Sequence, residues 1–232
     1  IGVVTVLFSP AEWAAIHNSL IVGIYVVLVS LPPAVYLGYV LARHQFPAKW
    51  LVEIMVNLAL VLPPVVTGYL LLQVFKPGTP VDQCLRHVNI KVAFEFPGLV
   101  VAAGVMSFPL MVRAIRLGFQ SVDPQLETAA RTLGAGWLTT FFTISLPLAR
   151  TGVMAGCVLA FARSLGEFGA TVMLASQREA NRTIPLLIYT LKDRSEGFPD
   201  IWPLAAVSLV LAAAALAVSE YMERQGLRRE SN

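Results

Sequence analysis

The sequence predicts an all-α integral membrane protein with five transmembrane helices and one short helix on the inner face. Three observations predict it. Of its 232 residues, 56% are hydrophobic and only 13% charged, with a mean hydropathy of +0.70, well short of the charge that soluble domains carry. Five apolar segments approach the ~20 residues a helix needs to cross ~30 Å of hydrocarbon with every backbone group satisfied internally. The stretch from Leu117 to Pro147 is too polar to join them and opens with a helix-start signature.

Taken in order, Leu20 to Ala42 and Ile54 to Phe75 are charge-free and long enough to span. Phe96 to Val112 is shorter and extends through Arg113 and Arg116 if those side chains snorkel to an interface. Thr151 to Ser176 spans but is interrupted by Arg163 and Glu167, and Ile201 to Ser219 closes the set. The resulting organisation is an outer segment 1–16, a membrane domain 17–222 and an inner tail 223–232. Within the domain the spans fall at about 17–42, 51–75, 96–118, 148–176 and 201–222, with a loop at 118–147. Thr132 to Ala149 is also charge-free, but Gly134, Gly136, Thr139, Thr140, Thr143, Ser145 and Pro147 make it less apolar than its neighbours. It reads as an interfacial or protein-covered connection.

Five spans put the termini on opposite sides. Residues 1–16 hold no Lys or Arg, whereas Arg43 and Lys49 follow the first span, and the two sides total nine and seven basic residues. The positive-inside rule therefore places the N-terminus outside and the C-terminus in the cytoplasm. The apolar start Ile1 to Phe8 lacks the basic region of a signal peptide. Cys84 and Cys157 fall at different levels and give no disulfide framework. A net charge of +3 suits basic inner loops and points to no nucleic-acid partner.

Pro32-Pro33, Pro63-Pro64 and Pro109 interrupt three spans. Each removes a helical hydrogen bond, so the helices kink, either around an irregular passage or only to shape packing. In the loop, Asp123-Pro124 starts a helix, with aspartate as cap and proline at the first position, and Glu127 suits the positive end of its dipole. The helix runs from Pro124 to Leu133 and ends at Gly134.

From Glu127 the sequence reads Glu-Thr-Ala-Ala-Arg-Thr-Leu-Gly, followed after nine more residues by Ile144-Ser145-Leu146-Pro147. This resembles the cytoplasmic loop of binding-protein-dependent ABC-importer permeases, in which two alanines, a glycine and Ile-x-Leu-Pro keep this spacing. The resemblance implies the type I importer core and assigns Glu127, Thr128, Ala129, Ala130 and Gly134 to docking on an ATP-hydrolysing subunit. Small residues let such a helix seat closely in a partner's cleft. The family's glutamate usually precedes the alanines directly; here Thr128 stands there, which puts in doubt the polar contact usually given to that glutamate. The stretches from Leu62 to Leu72, Met106 to Arg116, Ser164 to Ala170 and Arg182 to Pro185 look like the molybdate branch, with sulfate or tungstate carriers as the alternative.

No phosphate-binding Gly-x-x-x-x-Gly-Lys-Ser/Thr loop occurs. The resemblance thus implies a permease rather than an enzyme, with no cofactor of its own and with ATP and Mg on a partner. The assembly it implies is a homodimer in membrane lipid with two ABC ATPase subunits and an extracytoplasmic oxyanion-binding protein, in a bacterial inner membrane. Arg163 and Glu167 stand four residues apart, so on a helix they share a face and neutralise one another. Either they border an oxyanion path together with the hydroxyls of Thr67 and Ser107, or they are a structural ion pair. An intramembrane metalloenzyme has little support, since His17, His44 and His87 are scattered and form no ligand pattern. No metal site is expected.

Overall fold

The protein is described here by a computed structural model covering residues 8–175, 182–194 and 201–230. The sequence expectations that fall on residues 1–7, on Ser176 and Arg178 and on the side chains of Arg224, Arg228 and Arg229 lie outside the described residues. The described chain is helical and carries no strand.

Helix α1 spans Pro10–Arg43, about 51 Å at 1.5 Å per residue, and so overreaches a ~30 Å core. It starts ahead of the apolar run because Ser9 and Glu12 form a capping box, with Pro10 in the first turn. Pro32 and Pro33 lie inside it.

The second apolar run breaks into α2 (Lys49–Val61) and α3 (Pro64–Phe75), bent by 114°. Two successive prolines explain the break. Neither can donate a backbone hydrogen bond, and Leu62 before them is forced extended, at ψ 140°. At about 20 Å and 18 Å the halves are each too short to cross alone, but together they are long and apolar enough.

A short outer-loop helix α4 (Pro80–His87) leads to α5 (Phe96–Gln120), the centre of the bundle. Met111, Ile115 and Phe119 of α5 are fully buried against Ala34, Tyr39 and Leu41 of α1 and Ala160 farther along the chain. Arg113 and Arg116 do not simply reach for water, as snorkelling would have them do. Arg113 donates to Asn57 Oδ1 at 2.8 Å and Arg116 pairs with Glu53 at 2.9 Å, tying α5 to α2.

Beyond α5 come α6 (Pro124–Thr132), α7 (Trp137–Thr140), a π-helical turn (Phe141–Ser145), α8 (Leu146–Leu148) and α9 (Arg150–Leu165). The connection that the sequence excludes as a span is helical from Trp137, and it bends by 68° into α9. Helices α5 and α9 cross at glycines: a Cβ on Gly118 would stand 2.7 Å from the Gly152 Cα, the close approach that small residues permit in membranes.

The fourth apolar run is not one helix. Helix α9 stops at Leu165 with Gly166 as its cap, and after a short loop α10 covers Thr171–Leu174. Helix α11 (Ile184–Arg194) was not legible in the sequence. Its start is tied to α1 by Ile184 N donating to Ser19 Oγ at 2.9 Å and Asn18 Nδ2 donating to the Arg182 carbonyl at 3.1 Å. Helix α12 covers Trp202–Glu230, with an apolar part from Trp202 to Val218. Helices α1 and α5 are each long and apolar enough to cross alone, the two bent pairs are so only when each is taken together, and α12 carries a shorter apolar part; the pair Trp137–Leu165 begins ahead of the place expected for the fourth span, 148–176.

Candidate functional site

Two regions gather the residues that the sequence singles out, and each is built around a buried carboxylate. The first lies where α6 meets the bundle. Asp123 caps α6 by accepting from Gln125 N at 2.8 Å, and Pro124 occupies the first turn. The helix ends through Gly134, whose φ of +92° is the left-handed conformation that favours glycine.

The two faces of α6 differ sharply. Thr128, Ala129 and Gly134 are exposed and Ala130 is half-buried; a Cβ on Gly134 would meet nothing within 4 Å. Leu133, not singled out in the sequence, is 88% exposed. Leu133 thus stands as an apolar knob among the exposed small residues Thr128, Ala129 and Gly134.

Glu127 faces the other way and is 6% exposed. Its Oε1 accepts from Arg43 Nε at 3.0 Å and from Ser145 Oγ at 2.9 Å. Its Oε2 accepts from the Tyr39 hydroxyl at 3.4 Å, with an Arg131 nitrogen 3.9 Å away. Arg43 also donates to the Val122 carbonyl, just past α5, at 2.7 Å. One carboxylate therefore joins α6 to the last turn of α1, the end of α5 and the π-helical turn.

Aromatic rings wall off this polar knot. Tyr39 stands edge-on to Phe119 at 5.2 Å and to Phe141 at 5.0 Å, and Trp137 stacks on Phe141. Such contacts exclude water, which strengthens the ion pair inside. No local pattern places Tyr39, Arg43 or Ser145 here, because their partners lie far along the chain. A buried residue at Glu127, on an otherwise exposed helix, is the feature that would have pointed to them.

The second region lies at the break after α9. Arg163 and Glu167 pair at 2.7 Å, as their spacing suggests, but α9 has ended by then and Glu167 sits in the loop. Its carboxylate is 2% exposed, and its other oxygen accepts from Ala170 N at 2.8 Å. This loop rests on the start of α3: a Cβ on Gly169 would lie 2.6 Å from Pro64 Cβ, and one on Gly68 would lie 2.6 Å from the Ala170 carbonyl.

Thr67, at that start, is 6% exposed, and its hydroxyl has no hydrogen-bond partner among the described residues. Ser107 is elsewhere, fully buried in α5, and its hydroxyl donates to its own helix at Ala103 O, 2.7 Å away. The structure thus brings Arg163, Glu167 and Thr67 to the two broken helices and leaves Ser107 apart from that contact. Among the described residues no three His, Cys, Asp or Glu side chains come together as metal ligands.

Residues 34–225 match the family described as "Binding-protein-dependent transport system inner membrane component". The chain belongs to that family. It is accordingly a multi-pass inner-membrane permease subunit of a binding-protein-dependent transport system and not itself an enzyme.

Among relatives, it is 47% identical over 220 residues to the "Molybdenum transport system permease protein ModB" of Escherichia coli strain K12, covering 94% of this chain and 96% of that one. It is 36% identical over 172 residues to the "Molybdate/tungstate transport system permease protein WtpB" of Pyrococcus abyssi, covering 74% and 64%. Among solved structures, it resembles a bacterial alginate ABC transporter in complex with a pentasaccharide-bound periplasmic protein, with TM-score 0.71 and 18% identity over 97% of this chain and 81% of that one. That likeness shows the fold alone, one shared with an ABC-importer membrane subunit.

Proposed function

We propose that two copies of this chain form the membrane passage of an ATP-driven importer for molybdate. The observation that carries the substrate is the 47% identity to the E. coli molybdenum permease over nearly the whole of both chains. An extracytoplasmic binding protein delivers the oxyanion, and two ABC ATPase subunits, which hold the ATP and Mg, drive its release inside. Each permease lies with its N-terminus outside and its C-terminus in the cytoplasm, following the nine-to-seven split of basic residues.

The physical need for ATP follows from the charge. A cytoplasm-negative potential opposes an entering dianion by about 4.6 kcal/mol per 100 mV, so an open pore would leak it outwards. Uptake requires a passage that is never open at both ends.

On this reading α6 is the coupling helix. Thr128, Ala129, Ala130 and Gly134 present the face that seats in an ATPase cleft, and Leu133 fills an apolar recess there. Glu127 serves coupling from the inside of the joint. The path borders the contact between the broken helices. Arg163, part-exposed at 30%, lends it positive potential, Glu167 holds that charge so the ion is not trapped, and Thr67 supplies an unspent hydroxyl. Ser107 has committed its proton to its own helix and stands apart from that contact.

The test is uptake of radiolabelled molybdate by liposomes holding the permease and its ATPase, with ATP inside and the binding protein outside. The account predicts accumulation that needs both ATP and binding protein and that excess sulfate does not abolish. Abolition by sulfate, or accumulation without ATP, would overturn it; competition by tungstate would mark a shared molybdate/tungstate carrier.

A further inference from the structure

The clasp around Glu127 has a geometry that docking alone does not require. A helix that only filled a partner's cleft would need its outward face. Instead, α6 spends its one buried carboxylate on its own bundle, and the bonds reach residues 88, 84 and 18 positions away in sequence. All three donors come from places that move only if a membrane helix moves: Tyr39 and Arg43 from the last two turns of α1, Ser145 from the π-helical turn that leads through α8 into α9. Arg43 extends the chain of bonds to the end of α5 at Val122.

We propose that Glu127 is a positioning residue which keys the coupling helix to α1, α5 and α9, so that a push on α6 turns all of them as one body. The proposal rests on the docking of α6 argued above. Arg43 is the central link, because its planar guanidinium bonds Glu127 with Nε and the Val122 carbonyl with a terminal nitrogen at the same time. Lysine offers a point charge and cannot reproduce that fork. Tyr39 adds a weaker bond and, through Phe119 and Phe141, a rigid aromatic wall. A clasp that is dry and multiply bonded resists bending, which is what transmission of a stroke needs.

The experiment uses the complete transporter in liposomes and reads two quantities, molybdate uptake per ATP hydrolysed and the separation of two spin labels. The labels go on Thr132→Cys in α6 and Gln45→Cys just past α1, in a background with Cys84→Ser and Cys157→Ala. With the native clasp, the label separation is narrow and identical with and without ATP. Arg43→Gln broadens it and lowers uptake per ATP at least fivefold, while hydrolysis continues; Arg43→Lys restores less than half of that loss. Arg86→Gln, in the outer loop, changes neither quantity.

If Arg43→Gln prevents assembly, Tyr39→Phe and Ser145→Ala, each removing one bond, replace it with smaller shifts in the same direction. A narrow label separation and unchanged uptake per ATP in these variants would overturn the proposal. The label separation is also read in the permease alone. Broadening there, together with no effect of the ATPase on α6, would sink the docking assignment and leave the clasp standing.

Discussion

Two buried carboxylates, Glu127 and Glu167, each hold an arginine, yet they do different work. Glu167 closes a local turn: its partners Arg163 and Ala170 lie within four residues, and its guanidinium partner keeps contact with the surroundings. Glu127 gathers donors from two other elements, α1 and the π-helical turn, and its arginine is 11% exposed. The first arrangement fixes a loop across a helix break; the second fixes elements to one another. The difference teaches that a charge in a membrane protein must be read by the sequence distance and the wetness of its partner. The pair visible in the sequence is the local one.

The largest effect that separates the two is on stability. Glu127→Ala leaves Arg43 with a lost partner in a dry site, and breaking a buried pair costs about 3–5 kcal/mol. Glu167→Ala leaves Arg163 able to turn outward, so the loss is roughly 1–3 kcal/mol, mostly the unpaired Ala170 amide. Thermal unfolding of the two detergent-solubilised variants measures the order, and equal losses would erase the distinction.

Next in size is Gly134→Trp. A Cβ there meets nothing within 4 Å, and the strain of a side chain at φ +92° is confined to the end of α6, so membrane insertion persists while uptake falls more than tenfold, since the ring blocks seating of α6. Unchanged uptake in this variant would count against the outward face as the joint. Arg163→Gln follows, with uptake lowered several-fold at normal expression if the guanidinium borders the path; normal uptake would leave the pair as a brace only.

The smallest effect is at the far end, in α4. The Gly78 amide, with Arg86 beside it, holds the Asp82 carboxyl below its usual range. A lowered folded value means that the carboxylate stabilises the loop above the unfolded pKa of about 3.9. That support disappears as pH falls through the folded value. Hydrogen exchange of residues 78–87 should therefore quicken only under strong acid.

Much of the fold was legible because hydropathy and proline are local signals. Pro63-Pro64 announced a kink, though not one as sharp as 114°. The Asp123-Pro124 start and the Gly134 stop bounded α6 to within a residue. What the sequence hid depends on long-range contact or on chain reversals within apolar runs. The stop at Gly166 looked like the middle of a span, since glycine is common in membrane helices. The clasp was invisible because Arg43 reads equally well as an inner-loop charge at a helix end, and Ser145 as one more polar residue. Glu127 was expected to face a partner, and its burial is set by tertiary packing rather than by its place in the motif.

Cross-linking along α6 in the assembled transporter tests the central claim most directly. Single cysteines at Thr128→Cys, Ala129→Cys and Leu133→Cys, in the cysteine-free background, should link to the ATPase subunit with a short reagent, and the links should change on ATP binding. Absence of any link from this face, with the ATPase present and hydrolysing, would contradict the account.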